Sequence, residues 1–91
     1  MKVGGKIFAI IPEEADPPTV SLKCEPEIAV ALRKRYAAVG PGYHLNKRHW
    51  NTVTLDGSVG DGQVLEWVDD SYDLVVDSLP RKLRHEILHG D

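Results

Sequence analysis

Residues 85–89 read His-Glu-Ile-Leu-His, the H-E-x-x-H pattern in which two histidines hold a catalytic zinc and the glutamate activates a bound water. Such a site needs both histidines on a sheltered helix face and a third protein ligand. At about 100° per residue, Leu83 and Ile87 define the inward side of this helix and turn His85 and His89 to the opposite one. Only Gly90 and Asp91 follow, and His44 and His49 have no evident route to the pair. The expected state is a solvent-facing histidine pair, at most a weak site for a divalent metal, with no peptidase centre.

A second stretch, residues 40–57 (GPGYHLNKRHWNTVTLDG), is richer in chemistry. Lys47 and Arg48 suit phosphates, Asn46 and Asn51 suit base edges, and Tyr43 and Trp50 suit stacking on an exposed base. The same residues also suit a structural role. The aromatics then pin a hairpin against helices, and the histidines and asparagines bond the loop backbone. No Ser or Cys stands beside a His and a carboxylate in a nucleophile arrangement, and no glycine-rich phosphate loop is present, so no catalytic residue, cofactor or metal ligand set is expected. The lone Cys24 has no partner within the chain for a disulfide, which fits a reducing compartment and a small apolar filler at a strand end.

The elements that must position these residues follow from periodicity. Lys6–Ile11 is β-like, preceded by Gly4-Gly5 as a tight hairpin turn and stopped by Pro12. Residues 19–24 alternate, with Val20 and Leu22 on one face and Thr19, Ser21 and Lys23 on the other. Pro26 opens a helix whose apolar stripe is Ile28, Ala31, Leu32 and Tyr36, and Arg33, Lys34 and Arg35 complement the dipole at its end. Gly40-Pro41-Gly42 marks a turn. A strand over His49–Leu55 follows, with Val53 and Leu55 on one face, up to the turn at Asp56-Gly57. A long helix over 61–79, capped by Ser58 or Asp61, carries Val64, Leu65, Val68, Tyr72, Val75, Val76 and Leu79 inward and an acidic outer face. Pro80 breaks it, and 81–89 is a short final helix.

At 91 residues the chain has room for one core and one domain, 1–91. The apolar run Ile7–Ile11 is too short for a signal-peptide core or a membrane span, so a soluble, cytoplasmic protein is expected. A net charge of −3 argues against bulk electrostatic attachment to nucleic acid. The charges are segregated, however. Residues 31–50 carry five basic side chains and no acidic one, and residues 56–77 carry seven acidic side chains and no basic one.

The run PGYHLNKRHWNTV (41–53), with KVGGKIFAI (2–10), VSLKCEPE (20–27) and SYDLVVDSLPRKLR (71–84), closely resembles the MmcQ/YjbR family of small bacterial proteins. The resemblance implies an α+β, two-layer sandwich: an antiparallel sheet of about four to five strands packed by two to three helices. That fold is likened to frataxin-like, secretion-chaperone and double-wing DNA-binding domains. Members usually carry an N-terminal helix and a full first strand before the Val-Gly-Gly turn, and here the sequence starts at Met1-Lys2-Val3. An uncovered apolar sheet face and strand edge are therefore expected, with self-association through them.

The functional expectation is a DNA-binding protein, not an enzyme. Its expected contact set is Lys23, Arg33, Lys34, Tyr43, His44, Lys47, Arg48, His49, Trp50 and Asn51. The alternative is a protein-interaction or chaperone-like module that receives a basic partner on the acidic helix. No membrane partner is expected.

Overall fold

The computed structural model describes residues 1–42 and 45–90. Nine elements follow in order: β1 (Lys2–Val3), β2 (Lys6–Ile7), β3 (Ala9–Ile10), β4 (Thr19–Lys23), α1 (Pro26–Arg35), β5 (Val39–Pro41), β6 (Trp50–Thr54), α2 (Asp61–Asp77) and α3 (Arg81–His89). β1 and β2 form a two-stranded ribbon, and the main sheet has the order β3-β4-β6-β5, antiparallel throughout. This is the α+β arrangement expected, with helices packed on sheet.

Gly4 and Gly5 have φ of 56° and 79°, a two-residue turn that only glycine adopts without strain. At Gly4 crowding adds a second requirement, since a Cβ would lie 2.7 Å from Leu79 Cδ1. The strand expected over Lys6–Ile11 is broken at Phe8. Its ring turns into the core, edge-on to Tyr72 at a centroid distance of 5.2 Å. Its carbonyl accepts a 2.6 Å hydrogen bond from Ser71 Oγ on α2, so the chain leaves the ribbon and enters the main sheet. Gly40 and Pro41, expected to open a turn with Gly42, instead belong to an edge strand, Val39–Pro41, where a proline without an N–H is tolerated.

Register assigns the two faces of the sheet. Val20 pairs with Val53 and Val53 with Val39, while Leu22 pairs with Ala9 and Asn51. This is the buried face, on which the helices lie. The opposite face presents Thr19, Ser21, Thr52 and Thr54, with a Ser21–Thr52 hydroxyl contact of 2.8 Å. Hydroxyls line its middle, with the half-buried Ile10 and Trp50 on the same face. Leu55 does not share the Val53 face in the core. Pairing ends at Thr54, the Leu55 N–H turns to Pro18 O, and its side chain is exposed.

α1 is rotated from its expected phase. Ala29 is fully buried, whereas Ile28 and Ala31 are exposed. The helix backbone comes close enough to β6 for Asn51 Nδ2 to donate to Ala29 O at 3.2 Å, and only a small residue fits there. α2 buries Trp67, Ser71, Val75 and Val76, and Leu65 points to solvent. Its N-cap is Gly60, without a side-chain cap. Ser58, one of the expected caps, instead donates its N–H and Oγ–H to Asp56 Oδ1.

Candidate functional site

β4 ends and β6 begins at the same end of the sheet, where Lys23 pairs with Trp50 and the Cys24 N–H donates to His49 O at 2.7 Å. Between β5 and β6 the chain turns at Asn46–His49. His49 N–H and Trp50 N–H donate to Asn46 O, and Asn46 Oδ1 accepts the Arg48 N–H at 2.9 Å. Gly42 lets the two strands close under this turn, since a Cβ there would lie 2.7 Å from Trp50 Cβ. Lys47 and Arg48 are exposed at the tip, Lys23, His49 and Trp50 are half-buried beside it, and none of the cations is paired with a carboxylate among the described residues.

Two of the expected contact residues have a different role. Arg33 lies on the inward side of α1. Its Nε donates to Asn51 Oδ1 at 2.6 Å, and its Nη2 donates to Lys47 O and to Trp50 O. Asn51 is 3% exposed, with both ends of its amide used by Arg33 and Ala29 O. Neither side chain is available to a base edge, because both lie within a brace that ties the turn to α1. Asn46, whose Oδ1 closes the turn on Arg48, is likewise engaged. Lys34 is exposed on the last turn of α1. Tyr43 and His44 lie outside the described residues.

The spacing of Arg33 gave one signal for the brace: it follows Ala29 by four residues and so shares its face. Ser71 gave none in the sequence. It is fully buried, its hydroxyl donates to Phe8 O, and it accepts the Lys23 N–H at 2.8 Å, joining β3, β4 and α2.

The segregation of charge is partial. Asp70 of α2 lies near enough to Cys24 to help raise its thiol pKa, after burial and ahead of Glu25, against the opposing pull of Arg33. Such a thiol stays protonated and unreactive. At the other end of the molecule His85 and His89 are exposed, with ring centroids 4.4 Å apart, and no group of three metal-ligating side chains gathers among the described residues. No described helix is long and apolar enough to cross a membrane.

A helix-backed antiparallel sheet carrying a braced basic turn is the class of domain this chain forms. Residues 1–74 match the YjbR family model, and the chain belongs to that family. It is 46% identical over 84 residues to the uncharacterized protein YjbR of Escherichia coli K12, covering 92% of this chain and 71% of that protein. It is 30% identical over 76 residues to the uncharacterized protein YyaQ of Bacillus subtilis, covering 77% and 64%. The crystal structure of Deinococcus radiodurans protein DR2400 superimposes with a TM-score of 0.85 at 40% identity, over 89% of this chain and 60% of that one. A Pseudomonas syringae protein of known crystal structure gives 0.69 at 31% identity, over 78% and 68%. The chain thus spans about three fifths of the length of the Deinococcus protein.

Proposed function

We propose that the braced basic turn binds the phosphate backbone of DNA without reading its sequence, and that the domain is a binding module rather than an enzyme. The observation carrying this reading is that Lys47 and Arg48, on a turn held from behind by Arg33 and Asn51, and Lys23, at the adjoining end of β4, have no carboxylate partner among the described residues. A held turn presents its cations with little ordering cost on binding. Asn51 is engaged at both ends of its amide and Asn46 through its Oδ1, so phosphate contact is the chemistry this surface favours.

Three phosphate contacts give a slope of log K against log salt of about −2.7, or roughly a 40-fold loss of affinity between 50 and 200 mM salt. The test is fluorescence anisotropy with a labelled duplex at several salt concentrations. Lys47→Ala with Arg48→Ala leaves one contact, and the slope falls to about −0.9. Binding that is absent at low salt, or a slope unchanged in the double variant, removes the reading.

A further inference from the structure

α1 and α2 leave a cleft of about 320 Å³ over the buried face of the sheet, with Lys23 and Asn51 from the end that carries the basic turn among its lining. Its floor is Leu22, Val39 and Val53, and its walls are Ile28 and Leu32 from α1 with Trp67 and Leu74 from α2. Ile28 is 50% exposed on the rim. Asp70, Asp73 and Asp77 follow one side of the opening at three- and four-residue spacing, a single stripe of α2, with Glu25 at the end of the cleft and Lys23 beside it. An apolar slot under a row of carboxylates suits an occupant with an apolar side chain flanked by cations.

The same chain carries such an element. α3 has no buried residue, and the molecule measures 40 × 28 × 25 Å. Its radius of gyration of 13.6 Å exceeds the value near 12 Å usual for a compact chain of this length. Leu83 and Ile87 are half-buried toward the body, with Leu83 beside the Gly4 turn. The outer face gathers Arg81, His85 and Leu88 with the half-buried Arg84, an arc of about 100° on a helix. Leu88 is 61% exposed, and the face contains no carboxylate. Arg84 Nη1 makes one 3.4 Å contact with Asp77 O, too long to hold it firmly.

We propose that the cleft receives α3 of a second copy of this chain, with Leu88 entering between Ile28 and Leu74 and Arg81 and Arg84 meeting the aspartate stripe. The two surfaces are complementary in both charge and polarity. In this structure α3 is seated by Leu83 beside the Gly4 turn and contributes no residue to the cleft lining, so the α3 that enters the cleft is a second copy's. The inference rests on neither Lys47 nor Arg48, although Lys23, one of the proposed phosphate contacts, also lines the cleft.

Sedimentation equilibrium of the full chain at loading concentrations from about 10 μM to 1 mM tests it. The expected result is self-association that weakens as salt screens the rim. Leu88→Glu and Ile28→Glu, both at exposed sites, should each raise the dissociation constant at least about tenfold with the far-ultraviolet circular dichroism unchanged. Asp70→Lys with Asp73→Lys should do the same. Adding Arg81→Glu and Arg84→Glu to that pair should bring association back to within about threefold of the parent, which a folding defect would not allow. Lys47→Ala with Arg48→Ala should leave it unchanged. A monomer throughout, association indifferent to Leu88 and the aspartates, or no recovery in the charge-reversed variant each overturns the proposal.

Discussion

Asn51 offers the most direct test of the brace behind the basic turn. Replacing it with alanine removes the acceptor of Arg33 Nε and the donor to Ala29 O, at a site only 3% exposed. The bond to a charged donor contributes about 1.5–3 kcal/mol and the neutral one about 1. Arg33 keeps its contacts with Lys47 O and Trp50 O and is partly reached by water, which offsets some of the loss. A net destabilisation of about 2–4 kcal/mol follows, a large share of the 5–14 kcal/mol usual for a domain of this length. Thermal unfolding followed by circular dichroism should show a fall in Tm of roughly 10–20 °C. A cycle adding Arg33→Met should return a coupling of at least about 1.5 kcal/mol, because the two side chains share one strong bond. Asn51→Ala should also weaken duplex binding at a temperature where the variant is still folded, although every exposed cation is intact. A loss below about 1 kcal/mol, or a coupling near zero, refutes the brace.

Three further predictions concern the frame around the site. Ser71→Ala leaves Phe8 O and the Lys23 N–H without their partner inside the fold, and urea denaturation should show a loss of about 2–4 kcal/mol. Gly4→Ala meets both a positive φ of 56° and the Leu79 side chain 2.7 Å away, so it should cost at least about 1–2 kcal/mol, whereas the same change at Gly62, inside α2 with open space, should not. The Asp56 carboxyl is held below its ordinary pKa by the Ser58 hydroxyl and then by the Ser58 N–H. Its folded pKa is depressed, so its contribution is present above the unfolded value and lost as pH falls through the folded one. In Ser58→Ala a carbon-detected NMR titration should move the Asp56 midpoint upward, toward the ordinary carboxylate range.

Much of the local structure was legible in the residues. The Gly4-Gly5 turn, the alternation at 19–23, the start of α1 at Pro26 and the division of α2 from α3 by Pro80 all rest on φ limits, missing N–H groups and periodicities that act within a few residues. The outward orientation of His85 and His89 followed from the same helical spacing. The phase of α1 did not. Its apolar residues run consecutively from Ile28 to Leu32 and so mark no single face; Leu32 and Tyr36 pack on the core as expected, while the approach of Ala29 to Asn51 turns Ile28 and Ala31 outward. That rotation brought Arg33 inward and changed it from a candidate DNA contact into a support.

The amino-acid order alone therefore determined most of the helices and strands, the separation of basic from acidic segments and the family. Tertiary contact decided which polar groups remain free. Asn51, Arg33 and Ser71 are ordinary surface types that became internal partners because buried N–H and C=O groups must be satisfied wherever strands and helices happen to meet. The cleft between α1 and α2 belongs to the same level, since an opening between two helices depends on how far apart the sheet holds them.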